Sequence, residues 1–377
     1  MDYNKAALEL HKTNHGKIST SVKVPLKTKE DLATAYTPGV AAVCEVIRQD
    51  PAEAREYTLK RNTIAVITDG SAVLGLGNIG ALAGLPVMEG KCALFKEFAD
   101  IDAFPLCLDT QDTERIIATI KNIAPVFGGI NLEDIAAPRC FEIERRLKAE
   151  LAIPVMHDDQ HGTAVVVLAA LINSLQLRGL DKHTAQIVIN GAGAAGSAIA
   201  ELLCLYGFTQ LLVVDSHGII TTSRTDLTEE KLHLAQKTNP KQLSGGLETA
   251  IASAHVFIGV SKAGLLTPDM VRKMAERPII FALANPAPEI LPQEALEAGA
   301  FIVATGRSDF PNQINNVLAF PGIFRGALDN AVTQITDTML TQAAEALAKL
   351  VEQPTPEEIL PSPFNPNVVS TIANAIR

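Results

Sequence analysis

Residues 187–215 read IVINGAGAAGSAIAELLCLYGFTQLLVVD: a short β-branched run, the glycines Gly191, Gly193 and Gly196, an apolar helix-sized segment, and a second strand ending in Asp215. Strand 187–190 runs straight into the glycines, and they open a helix over 194–206. The glycines permit a tight turn and close approach of the backbone to a pyrophosphate, which the helix N-terminus receives; Ala194 and Ala195 belong to the same loop. Asp215, at the tip of the next strand, is placed to accept hydrogen bonds from an adenosine ribose and to repel a 2′-phosphate. That favours NAD. Ser216, His217 and Arg224 follow closely and could receive such a phosphate, so NADP stays possible.

Working outward, the rhythm stays regular. Helix 161–177 precedes the fingerprint; a helix near 228–238, strand 256–260, helix 268–276 and strands 279–284 and 301–306 follow it. Strands separated by helix-sized segments imply an α/β fold with a doubly wound parallel sheet of Rossmann type, closed by a helical C-terminal tail near 323–352 and 367–376. The proline-rich segment 352–367 reads as an extended wrap over the surface. Residues before about 150 also alternate helix and strand but are broken by Gly and Pro clusters, so this half reads as a separate, loop-rich α/β domain. The expected domains are 1–155 and 156–377. A second match to the glycine pattern, Gly75 to Gly80, trails strand 63–68, and the residues after it look too broken for a helix of normal length. It is expected to be a substrate-side loop.

Composition narrows the function classes. The chain has 377 residues, 47% hydrophobic and 20% charged, with a formal net charge of −10. That balance speaks against nucleic-acid or anionic-membrane partners. The longest apolar stretch, 164–177, is too short to span a bilayer, and the polar N-terminus lacks a signal peptide. The five cysteines, without metal-ligand spacing, read as reduced core thiols of a cytoplasmic protein.

Chemistry concentrates at the expected domain boundary. PVMHDDQHGTA (154–164) carries Asp158 and Asp159, and Glu133 with Asp134 lies upstream. Glu133, Asp134 and Asp159 offer the hard oxygen ligands that Mg²⁺ or Mn²⁺ prefers. Solvated carboxylates, or Asp159 as a cap of helix 161–177, are the plainer alternative. His157 and His161 suit capping or hydrogen bonding better than ligation. Lys91, after Gly90 at the expected start of an apolar helix, would have its pKa lowered by burial and the helix dipole, as suits a general base; taken alone, Lys91 and Lys96 read better as plain surface lysines. Tyr36, beside the Pro38-Gly39 turn, is a rigidly held phenol or a core residue. Asn285 and Asn315 follow strand ends on the cofactor side, where amides meet a carboxylate or carboxamide, or cap loops.

Assembled in order, YTPGVA (36–41), ITDGSAVLGLGNIG (67–80), VMEGKCALFKEFADIDAFP (87–105), INLEDI (130–135), HDDQHGTA (157–164), GAGAAG (191–196), LANP (283–286) and ATGRSDFPNQINNVLAFPGIFRGALD (304–329) resemble malic enzyme, in its short bacterial form, nearly end to end. The resemblance implies a divalent-metal-dependent oxidative decarboxylation of L-malate to pyruvate and CO₂ with reduction of NAD or NADP. It implies Tyr36 as general acid, Lys91 as general base paired with Asp158, and Glu133, Asp134 and Asp159 as metal ligands. Asn285 and Asn315 would contact substrate or nicotinamide, while the glycine loop and Asp215 hold the dinucleotide. Larger relatives carry an Arg in the TDG segment that grips a malate carboxylate. Ser71-Ala72 stands here instead, which leaves Ser71, Gly75, Asn285 and Asn315 as candidates. The resemblance further implies a homodimer, in which Tyr36 and Lys91 need not face the metal of their own chain. A malolactic-type or other 2-hydroxy-acid reaction on the same fold is the alternative, followed by a silent nucleotide-binding regulator.

Overall fold

The computed structural model describes residues 3–73 and 75–377. Its first sheet is formed by β1 (Thr63–Thr68), β2 (Asp102–Cys107), β3 (Gly129–Leu132) and β4 (Val155–His157), all parallel, in the order β2-β1-β3-β4. The second is formed by β5 (Ile187–Asn190), β6 (Leu211–Asp215), β7 (Gly218–Ile219), β8 (Val256–Gly259), β9 (Ile279–Ala282) and β10 (Ile302–Thr305), in the order β10-β9-β8-β5-β6-β7. Only the short β7 runs antiparallel to its neighbour.

Both sheets are covered on both faces, and for that reason their central strands, such as β1, β5, β8 and β9, are continuous buried runs rather than alternating ones, whereas the edge strand β2 is only partly buried. In β1, Ile64 and Val66 face one core while Ala65 and Ile67 face another; in β5, Ile187 and Ile189 divide from Val188 in the same way. The chain leaves β5 toward β6 on one side and comes back to β8 on the other. This switch point opens a crevice at the carboxyl ends of the strands, and the glycine loop follows β5 directly into it.

Helix Asp158–Arg178 joins the two halves. It begins three residues earlier than expected, so the acidic doublet occupies its first turn. By length and composition it could cross a bilayer, but 72% of its apolar window is buried inside the fold. Val165, Val167 and Leu168 share one core with Met88 and Phe95 from the first half and Ile187 and Ile189 from the second. β4 extends to His157, so the expected division after residue 155 would cut a strand; we propose it at 157/158.

Not all of the C-terminal helices stay with the second sheet. Helix Phe320–Asp329 returns to the first, where the Phe320 and Phe324 rings stand 4.6 and 5.5 Å from Phe95. A Cβ on Gly129 of β3 would lie 3.3 Å from the Phe324 ring. Segment 352–366 does not run extended as expected but folds through bends and turns, with an antiparallel bridge between Thr355 and Glu358; Ile359 and Leu360 are buried, and Asn173 donates to the carbonyls of Ala348 and Ile359, both at 2.9 Å.

The sequence after Gly80 contradicts its reading as broken. It forms the 19-residue helix Ala81–Ala99, with Pro86 inside. The buried face of Met88, Lys91, Cys92 and Phe95 packs against the fold, and such packing outweighs poor local propensity. Of the cysteines, Cys92 and Cys140 are buried, Cys107 and Cys204 partly so, and Cys44 is exposed rather than in the core.

Candidate active site

Lys91 sits in the middle of the Ala81–Ala99 helix, not at its start, so no helix dipole acts on it. Its Nζ lies 2.6 Å from Asp158 Oδ2 and 2.9 Å from Glu133 Oε1, and 4.3 Å from the centre of the Phe320 ring. Burial alone would lower its pKa, but Asp158, Glu133 and Asp159 outweigh burial and hold the ammonium above the usual lysine range. The expected lowering is thereby reversed, because three carboxylates surround the amine.

The acidic groups arrive from two places. Glu133 and Asp134 follow β3, and Asp159 lies in the first turn of the Asp158–Arg178 helix. One carboxylate oxygen from each of Glu133, Asp134 and Asp159 falls within 4.8 Å of the others. Asn131 Nδ2 donates to Glu133 Oε2 at 2.8 Å, and the Asp134 N–H donates to Asp159 Oδ2 at 2.8 Å, so Asp159 braces the Asp134 turn and is not a helix cap. Asp134 takes φ +53, a left-handed conformation that costs backbone strain. Burial raises the carboxyl pKa of Glu133, of Asp158 and of Asp159, with Lys91 opposing each. Clustered buried carboxylates of this kind, with all-oxygen donors, fit a divalent cation.

Asp158 is fully buried behind Lys91. A Cβ on Gly162 would come within 1.9 Å of its Oδ1, so glycine there makes room for the carboxylate. His157 is also fully buried; desolvation pulls its pKa down to about 4, which leaves a neutral ring at neutral pH. His161 bonds Glu144 at 2.9 Å and faces away from the acidic cluster.

Lys91, Glu133, Asp134 and Asp159 open on one cleft of about 680 Å³, which also takes in Ala195, Asn285 and Asn315. The glycine loop meets the cleft at Ala195. Gly191 has φ +126 and a Cβ there would hit the Val260 carbonyl; a Cβ on Gly196 would hit the Gly191 carbonyl. Gly193 is different: a Cβ there would meet nothing within 4 Å, so packing does not require its glycine. Open space at the N-terminus of helix Ala194–Tyr206 is the cradle a pyrophosphate needs.

Several expectations need correction. Asp215 is not available to a ribose: its oxygens accept from Arg224 Nη1 (2.8 Å), Arg224 Nη2 (3.2 Å), Lys231 Nζ (2.6 Å) and the His217 N–H (2.9 Å). Burial works against ionisation, but Arg224 and Lys231 hold the carboxyl down to about 2. Lys231 and Arg224, the latter shared with Asp226 at 2.6 Å, offset its charge, so Asp215 no longer argues against a 2′-phosphate. Ser71 is occupied too. Its Oγ donates to Asp69 and accepts from the Ala136 N–H at 2.9 Å. Gly75 does line the cleft, with φ +75 and its Cβ position only 2.3 Å from the Asn285 carbonyl. Asn315 accepts from the Val317 N–H at 2.9 Å as a cap while lining the cleft. Tyr36 is 67% exposed and outside the cleft of its own chain.

Sequence reading missed Asn131, Phe320 and Lys17. A fully buried amide inside the apolar run GINL was a usable signal for Asn131. Nothing local marked the other two. A larger groove, about 1170 Å³ and lined by Glu144, His161 and Glu201, includes none of Glu133, Asp134, Asp159 or the glycines of the loop in its lining.

Comparison with known proteins agrees with this geometry. The family model described as malic enzyme, N-terminal domain, matches residues 15–148, and that described as malic enzyme, NAD binding domain, matches 160–376. The chain belongs to the malic enzyme family. A bifunctional malic/malolactic enzyme of Bacillus subtilis is 52% identical over 379 residues, covering 100% of this chain and 92% of the relative. An NAD-dependent malic enzyme of Geobacillus stearothermophilus is 55% identical over 363 residues, 96% of this chain and 76% of the relative. The crystal structure of an NAD-dependent malic enzyme from Thermotoga maritima superposes with a TM-score of 0.96 at 52% identity, covering 98% of each chain. The two malic enzyme segments meet between residues 148 and 160, where the acidic doublet lies.

Proposed function

We propose that this chain oxidatively decarboxylates L-malate to pyruvate and CO₂, reducing NAD or NADP, with a divalent cation held by Glu133, Asp134 and Asp159. The observation that carries this reading is the position of Lys91 Nζ. It is fixed by Asp158 and Glu133 at the edge of the carboxylate cluster, in a cleft that reaches the glycine loop.

The cation would supply Lewis acidity and offset the carboxylates that hold the Lys91 pKa up, and the nicotinamide would supply a hydride acceptor. Lys91 removes the proton of the C2 hydroxyl as hydride leaves C2. The C3–C4 bond then breaks, CO₂ departs, and the electron pair passes into the C2 carbonyl to give the enolate of pyruvate. Tyr36 gives its phenolic proton to C3. Asp158 positions Lys91, while Asn285 and Asn315 hold substrate and carboxamide. Gly191, Gly193, Ala194, Ala195 and Gly196 cradle the pyrophosphate.

Tyr36 reaches a cleft only if a second copy brings it there, so the functional unit in this reading is a homodimer. The N-terminal helices support it: Tyr3–Asn14, Lys29–Ala35 and Val40–Gln49 have no buried residue, and Leu8, Val22 and Leu32 are more than half exposed. The five free cysteines suit a reducing, cytoplasmic compartment.

The decisive assay mixes purified protein with L-malate, Mn²⁺ and either cofactor while following absorbance and pyruvate. Reduced cofactor and pyruvate should appear in equal amounts, and no turnover with either cofactor would overturn the reading. The name of the Bacillus subtilis relative favours one second reading, a malolactic reaction, which would release lactate without accumulating reduced cofactor.

A further inference from the structure

Malate carries two carboxylates, and the cleft that would receive it is lined mainly by negative charge. Glu133, Asp134 and Asp159 face it, and Asp158 lies behind Lys91. Lys91 and one divalent cation together do not balance four carboxylates. A dianion therefore needs one more positive group to enter favourably. Among the described residues, Lys17 and Lys91 are the lysines and arginines that line the cleft. Lys91 is committed to Asp158 and Glu133. The nearby arginines are spent elsewhere: Arg139 lies 3.0 Å from Asp69, and Arg307 pairs with Asp309 at 2.6 Å.

Lys17 is held where a substrate carboxylate could use it. Its backbone N–H donates to Glu89 Oε2 at 3.2 Å, and its Nζ donates to the Pro86 carbonyl at 2.6 Å. Pro86 and Gly90 lie one helical turn apart on the helix that carries Lys91. A Cβ on Gly90 would stand 3.1 Å from Lys17 Nζ, so the ammonium lies across bare helix surface next to the proposed base. An ammonium has three donors, and the Pro86 carbonyl takes one.

Resting on the proposed malate reaction, we infer that Lys17 pairs with the C4 carboxylate of malate and sets the preference for a dicarboxylic substrate. The cation and Lys91 would engage the C1–C2 end, which leaves C4 as the end without a cationic partner. An ion pair formed on binding and kept until C4 departs acts on substrate affinity more than on the chemical step.

The test compares Lys17→Met and Lys17→Arg with the parent protein in two directions: L-malate oxidation, and reduction of pyruvate, which lacks C4. Lys17→Met should raise KM for malate by about tenfold while changing kcat less than about twofold. Its KM for pyruvate should stay at the parent value, and Lys17→Arg should recover most of the malate affinity. An unchanged malate KM overturns the inference, and so does a parallel rise for malate and pyruvate, which would mean that Lys17 only braces the helix through Pro86. A parent protein that oxidises no malate would instead sink the functional reading on which the inference rests.

Discussion

Lys91 Nζ lies 2.6 Å from Asp158 Oδ2, a contact between residues 67 positions apart that joins a helix of the first half to the first turn of the helix leading into the second. Both side chains are buried, so each depends on the other for its charge to be tolerated. Lys91→Met should lower malate turnover by about 100-fold to 10,000-fold, the range of a lost general base, with NADH binding by fluorescence unchanged. Asp158→Asn should cost less turnover, since Glu133 still holds the amine. Full turnover in Lys91→Met would remove it from the proton transfer.

Metal should act as a folding ligand. At a hundredfold excess over its dissociation constant Mn²⁺ should add about 2.7 kcal/mol of stability, seen as a rise in Tm that a chelator reverses. Asp159→Asn should abolish that rise and leave the response to NADH intact. If the variant keeps the full Mn²⁺-dependent shift, the ligand set is wrong.

Arg224 and Lys231 on Asp215 predict tolerance of NADP. Arg224→Ala should lower kcat/KM for NADP by at least about tenfold, as expected for a lost charge-assisted contact, and change that for NAD little. Equal effects on the two cofactors would show that the arginine does not discriminate at the 2′-position.

Glu144 provides the pH-dependent element. Burial alone would raise its carboxyl pKa, yet His161 and Lys148 hold it well below the ordinary carboxylate range. A depressed folded-state pKa means stability that is complete above the unfolded value of 4.5 and lost as pH falls below it. Glu144→Gln should therefore be less stable by about 2 kcal/mol at neutral pH. The gap in Tm should narrow as the pH is lowered below 4.5. A constant gap across that range would contradict the assignment.

Tyr36 can be tested by mixing two inactive chains. If Tyr36→Phe and Lys91→Met chains exchange into mixed dimers, one site regains both groups when Tyr36 serves the partner. Activity should then rise well above either variant alone. No recovery, with mixed dimers demonstrated, would place Tyr36 in its own chain's reaction or outside it.

The strand–glycine–helix unit was legible because its signal is local: the IVIN run, the GxGxxG spacing and Asp215 all lie within 29 residues, and the observed β5, helix Ala194–Tyr206 and β6 match the expected bounds. Glu133, Asp134 and Asp159 were legible for another reason, since paired carboxylates between apolar segments are costly without a partner. The first half of the 81–99 helix was not legible, although a helix was expected from Gly90 onward. Pro86 and the glycines argue against it, and only burial of Met88, Cys92 and Phe95 against distant residues decides the outcome.

The sequence by itself thus determined the class of fold and the inventory of chemical groups, because backbone periodicity and glycine spacing act over a few residues. The tertiary structure decided which charges meet. Asp215 looked like a ribose acceptor until Arg224 and Lys231 folded onto it, and Lys91 looked activated by a helix terminus until three carboxylates surrounded it. Lys17, unremarked in the sequence, acquires its place only because the segment after the first helix lies across Pro86 and Gly90. Coulombic interactions depend on distance in space and on burial, and neither is encoded in the spacing of residues along the chain.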